Sequence, residues 1–232
     1  MKKGFVSCVA IAALMVFLSA GSVFAAENGK TGFYIGISGG YVIPQTMTIS
    51  DPDDSSQKFD ATLENGYLVG VKSGWNTPFT KRIMALEFEY NYIRNNFDNS
   101  KIIPDIMGNG SGTIDGTIGI HAFLFNVKAR YPEGPIHPYA GAGLGWSIVQ
   151  LGDLTIRGDA GPGIKGDIGN GFCWQLLVGV DFDITPNIAV GIGYKYLATN
   201  TTIGSKRESD DRIYIDADYR ASIVTVGLTF LF

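Results

Sequence analysis

Charge is scarce in this chain. Charged residues make up 17% of its 232 positions, against roughly 25% in soluble domains. The net charge is −4 and no basic patch stands out, which excludes a nucleic-acid binder. Cysteine is rarer still, with only Cys8 and Cys173. Beyond the N-terminus no apolar run approaches the ~18–20 residues of a membrane helix, which excludes a helical membrane protein. It does not exclude a barrel, whose alternating strands escape a hydropathy scan. Disorder is excluded as well, because 45% of the residues are hydrophobic. Glycine is plentiful, at 31 residues, near twice its usual share of about 7%.

The N-terminus reads as an address. Lys2 and Lys3 precede a short apolar stretch from Val9 to Leu18, and Ser22-Val23-Phe24-Ala25 offers small residues for cleavage, with Ala26 as an alternative end. This is the layout of a secretory signal peptide over residues 1–25, leaving 26–232 as one barrel domain. Cleavage removes Lys2 and Lys3, so basic residues fall from 18 to 16 against 22 acidic ones and the mature net charge becomes −6. Cys8 leaves with the signal. Cys173 then has no partner for an internal disulfide and reads as a small packed residue.

The rest of the chain alternates with a period of two. Trp174, Leu176, Val178, Val180 and Phe182 share one face, and Gln175, Gly179, Asp181 and Asp183 the other. Thr185-Pro186-Asn187 then turns the chain into Ile188, Val190, Ile192, Tyr194 and Tyr196, which alternate with Gly191, Gly193 and Lys195. A strand points successive side chains to opposite faces, so the two runs form a hairpin. The pattern recurs at 67–75, 84–92, 123–131 and 140–148, and strands near Phe33–Tyr41 and Ala221–Phe232 complete a count of eight, each of roughly 9–11 residues. Short turns follow the second, fourth and sixth. Long polar segments, at about 44–64, 95–117, 152–170 and 200–218, follow the others. Short turns at one end and long loops at the other are the layout of an outer-membrane barrel with both termini in the periplasm.

A soluble barrel of the lipocalin kind would hide its apolar face inside. The polar face decides between the two. It carries Lys72, Glu87, Glu89, Lys128, Arg130, Asp181, Asp183 and Lys195, together with glycines such as Gly36, Gly70, Gly143 and Gly193. Small residues suit the narrow interior of eight strands, while the aromatic face suits lipid. The eight interior charges balance, and buried ions need partners, so they predict a salt-bridge network. That network is either a plug or the lining of a gated path for small solutes. Aromatics also fall at two heights: Tyr67, Tyr92, Trp174 and Tyr196 near the long-loop ends, and Trp75, Tyr131 and Phe182 near the short turns. Tyr67 to Trp75 is about 26 Å of strand, or roughly 20 Å of depth at ~40° tilt, close to the ~25 Å between two aromatic girdles.

The chain ends Thr225-Val226-Gly227-Leu228-Thr229-Phe230-Leu231-Phe232. Thr225, Gly227, Phe230 and Phe232 resemble the terminal signal by which barrels are handed to their insertion machinery. With the first strand, Gly32–Tyr41, and the segments Pro138–Gly145 and Gly179–Asn187, the mature chain resembles small outer-membrane β-barrel proteins of the OmpA transmembrane-domain, OmpX and opacity kind. The resemblance implies an all-β, eight-stranded, antiparallel up-and-down transmembrane barrel, monomeric, in the outer membrane of a Gram-negative cell. It specifies architecture rather than activity.

Little chemistry stands out. His121 and His137 sit in no recognisable Ser-His-acid pattern, so no enzyme is expected. A lipid A-modifying activity is the remote alternative. Gly141-x-Gly143-x-Gly145 lies in a strand and lacks the helix of a nucleotide loop. Asp51, Asp53 and Asp54 lack the spacing of a calcium loop, and the 206–212 run is mixed in sign, as in a solvated loop tip. No metal and no cofactor is predicted. The expected function is a structural or surface-interaction role carried by four long extracellular loops, with a narrow porin-like channel as the alternative. The expected partners are outer-membrane lipid and lipopolysaccharide, the barrel-assembly machinery, and a host-surface or protein ligand at the loops.

Overall fold

The computed structural model describes residues 32–45, 47–50, 58–97, 113–152, 155–157, 168–206 and 212–232. The signal peptide, the Asp51, Asp53 and Asp54 cluster and most of the 206–212 run lie outside them. Among the described residues there are twelve strands: β1 (Phe33–Pro44), β2 (Met47–Ser50), β3 (Lys58–Ala61), β4 (Gly66–Asn76), β5 (Met84–Asn96), β6 (Thr113–Asp115), β7 (Thr117–Arg130), β8 (Ile136–Leu151), β9 (Thr155–Arg157), β10 (Ile168–Thr185), β11 (Ile188–Lys206) and β12 (Arg212–Leu231). Eight of them, in the order β1-β4-β5-β7-β8-β10-β11-β12, form an antiparallel sheet. That sheet closes where Tyr34 pairs with Leu231 and Pro44 with Ala221. Closure satisfies the backbone from within, which lipid demands of any spanning structure.

The turns at one end are short and locally encoded. Pro186 and Asn187 alone join β10 to β11. Gly134 adopts φ +74° between β7 and β8, a left-handed conformation that glycine takes without steric cost. Between β4 and β5 a 3₁₀ turn at Pro78–Thr80 leads into Lys81 and Arg82 with positive φ. The Thr77 hydroxyl fastens that turn by donating to the Met84 carbonyl at 2.9 Å.

Two expectations need correction at the other end. The eight barrel strands are 11 to 20 residues long rather than 9–11. The segment at 200–218, read as a loop, is mostly strand: β11 and β12 stay in register from Ile188↔Phe230 to Lys206↔Arg212. Once a hairpin is paired, each further residue adds backbone hydrogen bonds to an existing ladder, so polar composition alone does not stop it. The first long segment likewise contains β2 and β3, which extend the wall beside β12. The segments at 95–117 and 152–170 contribute β6 and β9, which pair with each other.

Candidate functional site

The barrel interior is the place where chemistry-bearing side chains converge. Its half nearest the short turns is polar. Glu87 and Glu89 come from β5, Lys128 from β7 and Lys195 from β11, and all four are buried. Glu87 accepts hydrogen bonds from Lys128 Nζ at 2.7 Å, Tyr34 Oη at 2.9 Å and Asn126 Nδ2 at 3.0 Å. Lys72 Nζ stands 3.9 Å from the same carboxylate. Glu89 accepts from Lys195, from Gln175 Nε2 at 2.7 Å and from Asn126 Nδ2 at 3.0 Å. Asn126 therefore joins the two carboxylates into one cluster, and Gln175 closes it with a second bond to Asn126 Oδ1 at 2.8 Å. The Lys128 ammonium also lies over two rings, 5.3 Å from Tyr34 and 5.0 Å from Tyr139, within reach of a cation–π attraction. A methyl added at Gly36 would sit 2.7 Å from Lys72 Cε, so glycine there leaves the lysine its room.

The remaining charges of the set take other places. Asp181 and Lys72 line two cavities, of about 20 and 30 Å³. Each volume corresponds to about one water molecule. Arg130 and Asp183 lie nearer the rim. Arg130 Nε and Asp183 Oδ1 have no hydrogen-bond partner among the described residues, while Asp183 Oδ2 is 3.0 Å from His137 Nε2. His137 Nδ1 is 2.8 Å from the Tyr131 carbonyl. Both histidine nitrogens thus pin the β7–β8 turn to β10.

The other half of the interior is apolar. Continuing along the same inward face, Val42, Leu68, Ile93, Ile118, Ile120, Leu124, Val149, Cys173, Leu197, Ala221 and Ile223 are each no more than 2% exposed. Leu63 and Phe97, joined by an isolated bridge, belong to the same cluster. Few polar side chains enter this layer, and among the described residues Asn91, at its edge, is buried with no partner for its amide. Tyr219 reaches from β12 to donate to Asn95 Oδ1 at 2.9 Å, and Asn95 Nδ2 donates to the Glu64 carbonyl at 2.9 Å. Ser147 and Thr199 share a hydroxyl contact. Eight strands enclose just enough space for side chains to fill, and here they fill it with hydrocarbon.

On the outer wall the aromatics pack in pairs. Trp75 stacks on Phe33 at 5.8 Å near the short turns, and Tyr131 and Phe182 are exposed at that end. Toward the other end Tyr67 meets Tyr92 at 6.5 Å, and Trp174 meets Tyr196 at 5.7 Å. His121 joins the Tyr92 group at 4.9 Å and shares a 2.7 Å hydrogen bond with Tyr90 Oη. In β12, Thr225 points inward and Phe230 and Phe232 outward. The Thr225 hydroxyl donates to the Gly193 carbonyl at 3.3 Å, Gly227 pairs with Ser38, and Phe232 N donates to the Phe33 carbonyl at 2.9 Å.

Sequence reasoning missed Tyr34, Asn126, Gln175 and Tyr139 in the polar cluster, and the whole apolar layer. Asn126 and Gln175 carried the right signal, since they fall on the charged face. Leu68, Leu124 and Leu197 fall on that face too, and only an explicit count of apolar residues there would have found them.

The model of the family "Outer membrane protein beta-barrel domain" matches residues 10–232. Outer membrane protein PagN of Salmonella typhimurium is 31% identical over 102 residues, covering 41% of this chain and 42% of that protein. The chain thus spans about two fifths of that curated relative's length. Among solved structures, the outer membrane protein OprG of Pseudomonas aeruginosa matches with a TM-score of 0.57 at 13% identity, covering 88% of this chain and 98% of that one. The outer membrane protease OmpT of Escherichia coli matches with a TM-score of 0.52 at 10% identity, covering 89% and 99%. At such identities the two structures speak to the fold alone.

Proposed function

We propose, from the premise that this chain belongs to the outer membrane protein β-barrel domain family and resides in the outer membrane of a Gram-negative cell, that it is a non-enzymatic surface-interaction protein. Residues 1–25 export it and are removed. The barrel then acts as a pedestal for the four connections at its long end, which face the exterior.

The observation that carries this reading is the filled interior. Among the described residues the long end is packed with hydrocarbon and the cavities below it measure about 20 and 30 Å³, the size of a water molecule rather than of a hydrated solute. Wall height supports the same reading. The 20 residues of β12 measure about 66 Å along the strand, or about 50 Å of height at ~40° tilt. That is twice the ~25 Å apolar band of an outer-membrane barrel. The excess wall is rigidified by the apolar layer and holds the connections clear of the lipid. Binding residues are commonly found on loops carried by such rigid scaffolds. The ligand classes in view are host-surface molecules, other proteins and lipopolysaccharide headgroups, and insertion proceeds through the assembly machinery that pairs with β12. Neither histidine is placed as a proton-transfer group, since His121 is bonded to Tyr90 on the outer wall and His137 is held at the rim.

The test is replacement of the connections at 45–65, 97–117, 152–168 and 206–212 by short turns, one at a time, in cells that export the protein. Adhesion of those cells to cultured epithelium, or of the purified protein to immobilised glycans and lipopolysaccharide, is then measured. Loss of binding with the barrel still heat-modifiable on gels supports the proposal. Binding unchanged after all four replacements overturns it.

A further inference from the structure

Among the described residues, two other than glycine have positive φ, and they are neighbours: Lys81 at 55° and Arg82 at 64°, in the turn between β4 and β5. The left-handed region crowds Cβ against the backbone, so these two side chains are held at a conformational cost that glycine avoids. The turn is fastened tightly enough to hold them. Thr77 is buried, and its carbonyl accepts from Arg82 N and from the Thr80 hydroxyl, both at 3.0 Å. Met84 N donates to that hydroxyl at 3.1 Å, and Lys81 N to the Pro78 carbonyl at 3.0 Å. Strain of this kind persists where its surroundings over-determine it, and it collects at ligand sites.

The turn displays an aromatic ring beside two cations. Phe79 is 75% exposed, more than any other large hydrophobic side chain among the described residues. Its ring meets Trp75 edge-on at 5.9 Å, and Trp75 stacks on Phe33. Phe79 therefore lies at the level of the short-turn aromatics. Much of that rim is apolar, with Ile83, Ile136 and Ile184 exposed. The three short turns, 77–83, 131–135 and 186–187, hold three charged residues: Lys81, Arg82 and Glu133. Glu133 accepts from the Tyr131 hydroxyl at 3.3 Å. Positive charge thus gathers in one turn of the three.

We propose that the β4–β5 turn is a headgroup site for one anionic phospholipid, with Phe79 as the interfacial anchor and Lys81 and Arg82 at the phosphodiester. For its leaflet the inference rests on the orientation proposed above, which puts this turn on the periplasmic side. A guanidinium offers a phosphate two parallel N–H donors, and an ammonium adds a point charge. A zwitterionic headgroup brings an ammonium of its own, which the two cations repel. The site therefore selects phosphatidylglycerol over phosphatidylethanolamine.

The full mature protein is refolded into vesicles of equal parts of these two lipids. Both leaflets are alike there, so the outcome does not depend on the orientation in the cell or on what the long connections bind. Protein is released in mild detergent and its retained lipids are identified by native mass spectrometry. About fivefold more phosphatidylglycerol than phosphatidylethanolamine is expected, close to the attraction of one cation for an anionic surface. Lys81→Asn combined with Arg82→Asn removes both charges, and asparagine tolerates the left-handed region, so the ratio is expected to fall to about one. Arg82→Asn alone is the milder variant should the pair fail to fold, with a partial fall expected. Arg94→Gln, which removes an exposed cation toward the long connections, should leave the ratio unchanged. Lys81→Gly should unfold at higher urea than the wild type while losing part of the selectivity, a split that a merely structural turn would not give. Equal retention of the two lipids by the wild type overturns the proposal. So does a ratio that survives the asparagine pair, or one that Arg94→Gln lowers as far.

Discussion

The two halves of the barrel interior solve the same problem in opposite ways. Near the short turns, Glu87, Glu89, Lys128 and Lys195 are buried and matched charge for charge, Lys128 with Glu87 and Lys195 with Glu89, and Asn126 and Gln175 tie the carboxylates together. Toward the long connections, Ile93, Ile120, Leu124 and Ile223 fill the same cylinder with hydrocarbon. Both halves pack the cylinder with side chains, but they fail differently. A polar cluster depends on every partner being present, because one uncompensated buried ion is costly. A hydrocarbon layer depends on volume, and a lost methyl group costs in proportion to the cavity it leaves.

The largest effect is expected where the polar half loses one partner. Glu87→Ala leaves Lys128 and Lys72 without their shared carboxylate and is expected to cost about 3–5 kcal/mol, read by urea unfolding in lipid vesicles. Glu87→Leu combined with Lys128→Met is expected to recover most of that loss, because an apolar pair of similar size replaces the ion pair. A double variant as unstable as Glu87→Ala would show that the two halves do not differ in kind.

The apolar half should respond less steeply. Ile120→Ala is expected to cost about 2–4 kcal/mol through the cavity it opens, by the same measurement. Ile120→Val, a single methylene, is expected to cost about 1 kcal/mol. Equal losses for the two would contradict dependence on volume.

The smallest effect belongs to the boundary. Tyr219→Phe removes the 2.9 Å bond to Asn95 and keeps the ring, so about 1 kcal/mol is expected. Hydrogen exchange of the amides of β5 and β12 near these residues should accelerate, while amides near Glu89 stay unchanged.

Legibility in the sequence followed the same division. The barrel, its strand order and its short turns were readable because alternation of faces and Pro-, Asn- or Gly-bearing turns are local signals. The charges were readable because a charged residue between aromatics is conspicuous. Asn126 and Gln175 showed their facing but not their role, since an amide gives no hint that it will tie together the two carboxylates of β5. The apolar layer was hidden because alternation lapses there. Ile118 and Ile120 face inward, but Gly119 and His121 opposite them are neither greasy nor charged, so the period blurs. Ala217 lay within a segment whose aspartates, threonines and serines read as loop, and Tyr219 at its edge. Ladder pairing across β11 and β12 carried strand through it.

The most direct test of the filled interior is single-channel conductance of the folded mature protein in a planar bilayer. No discrete steps are expected, and none from Lys128→Met either, because the hydrocarbon layer closes the barrel whatever the charges below it do. Reproducible steps whose size changes with Lys128→Met would contradict it, and would make the polar half the lining of a path.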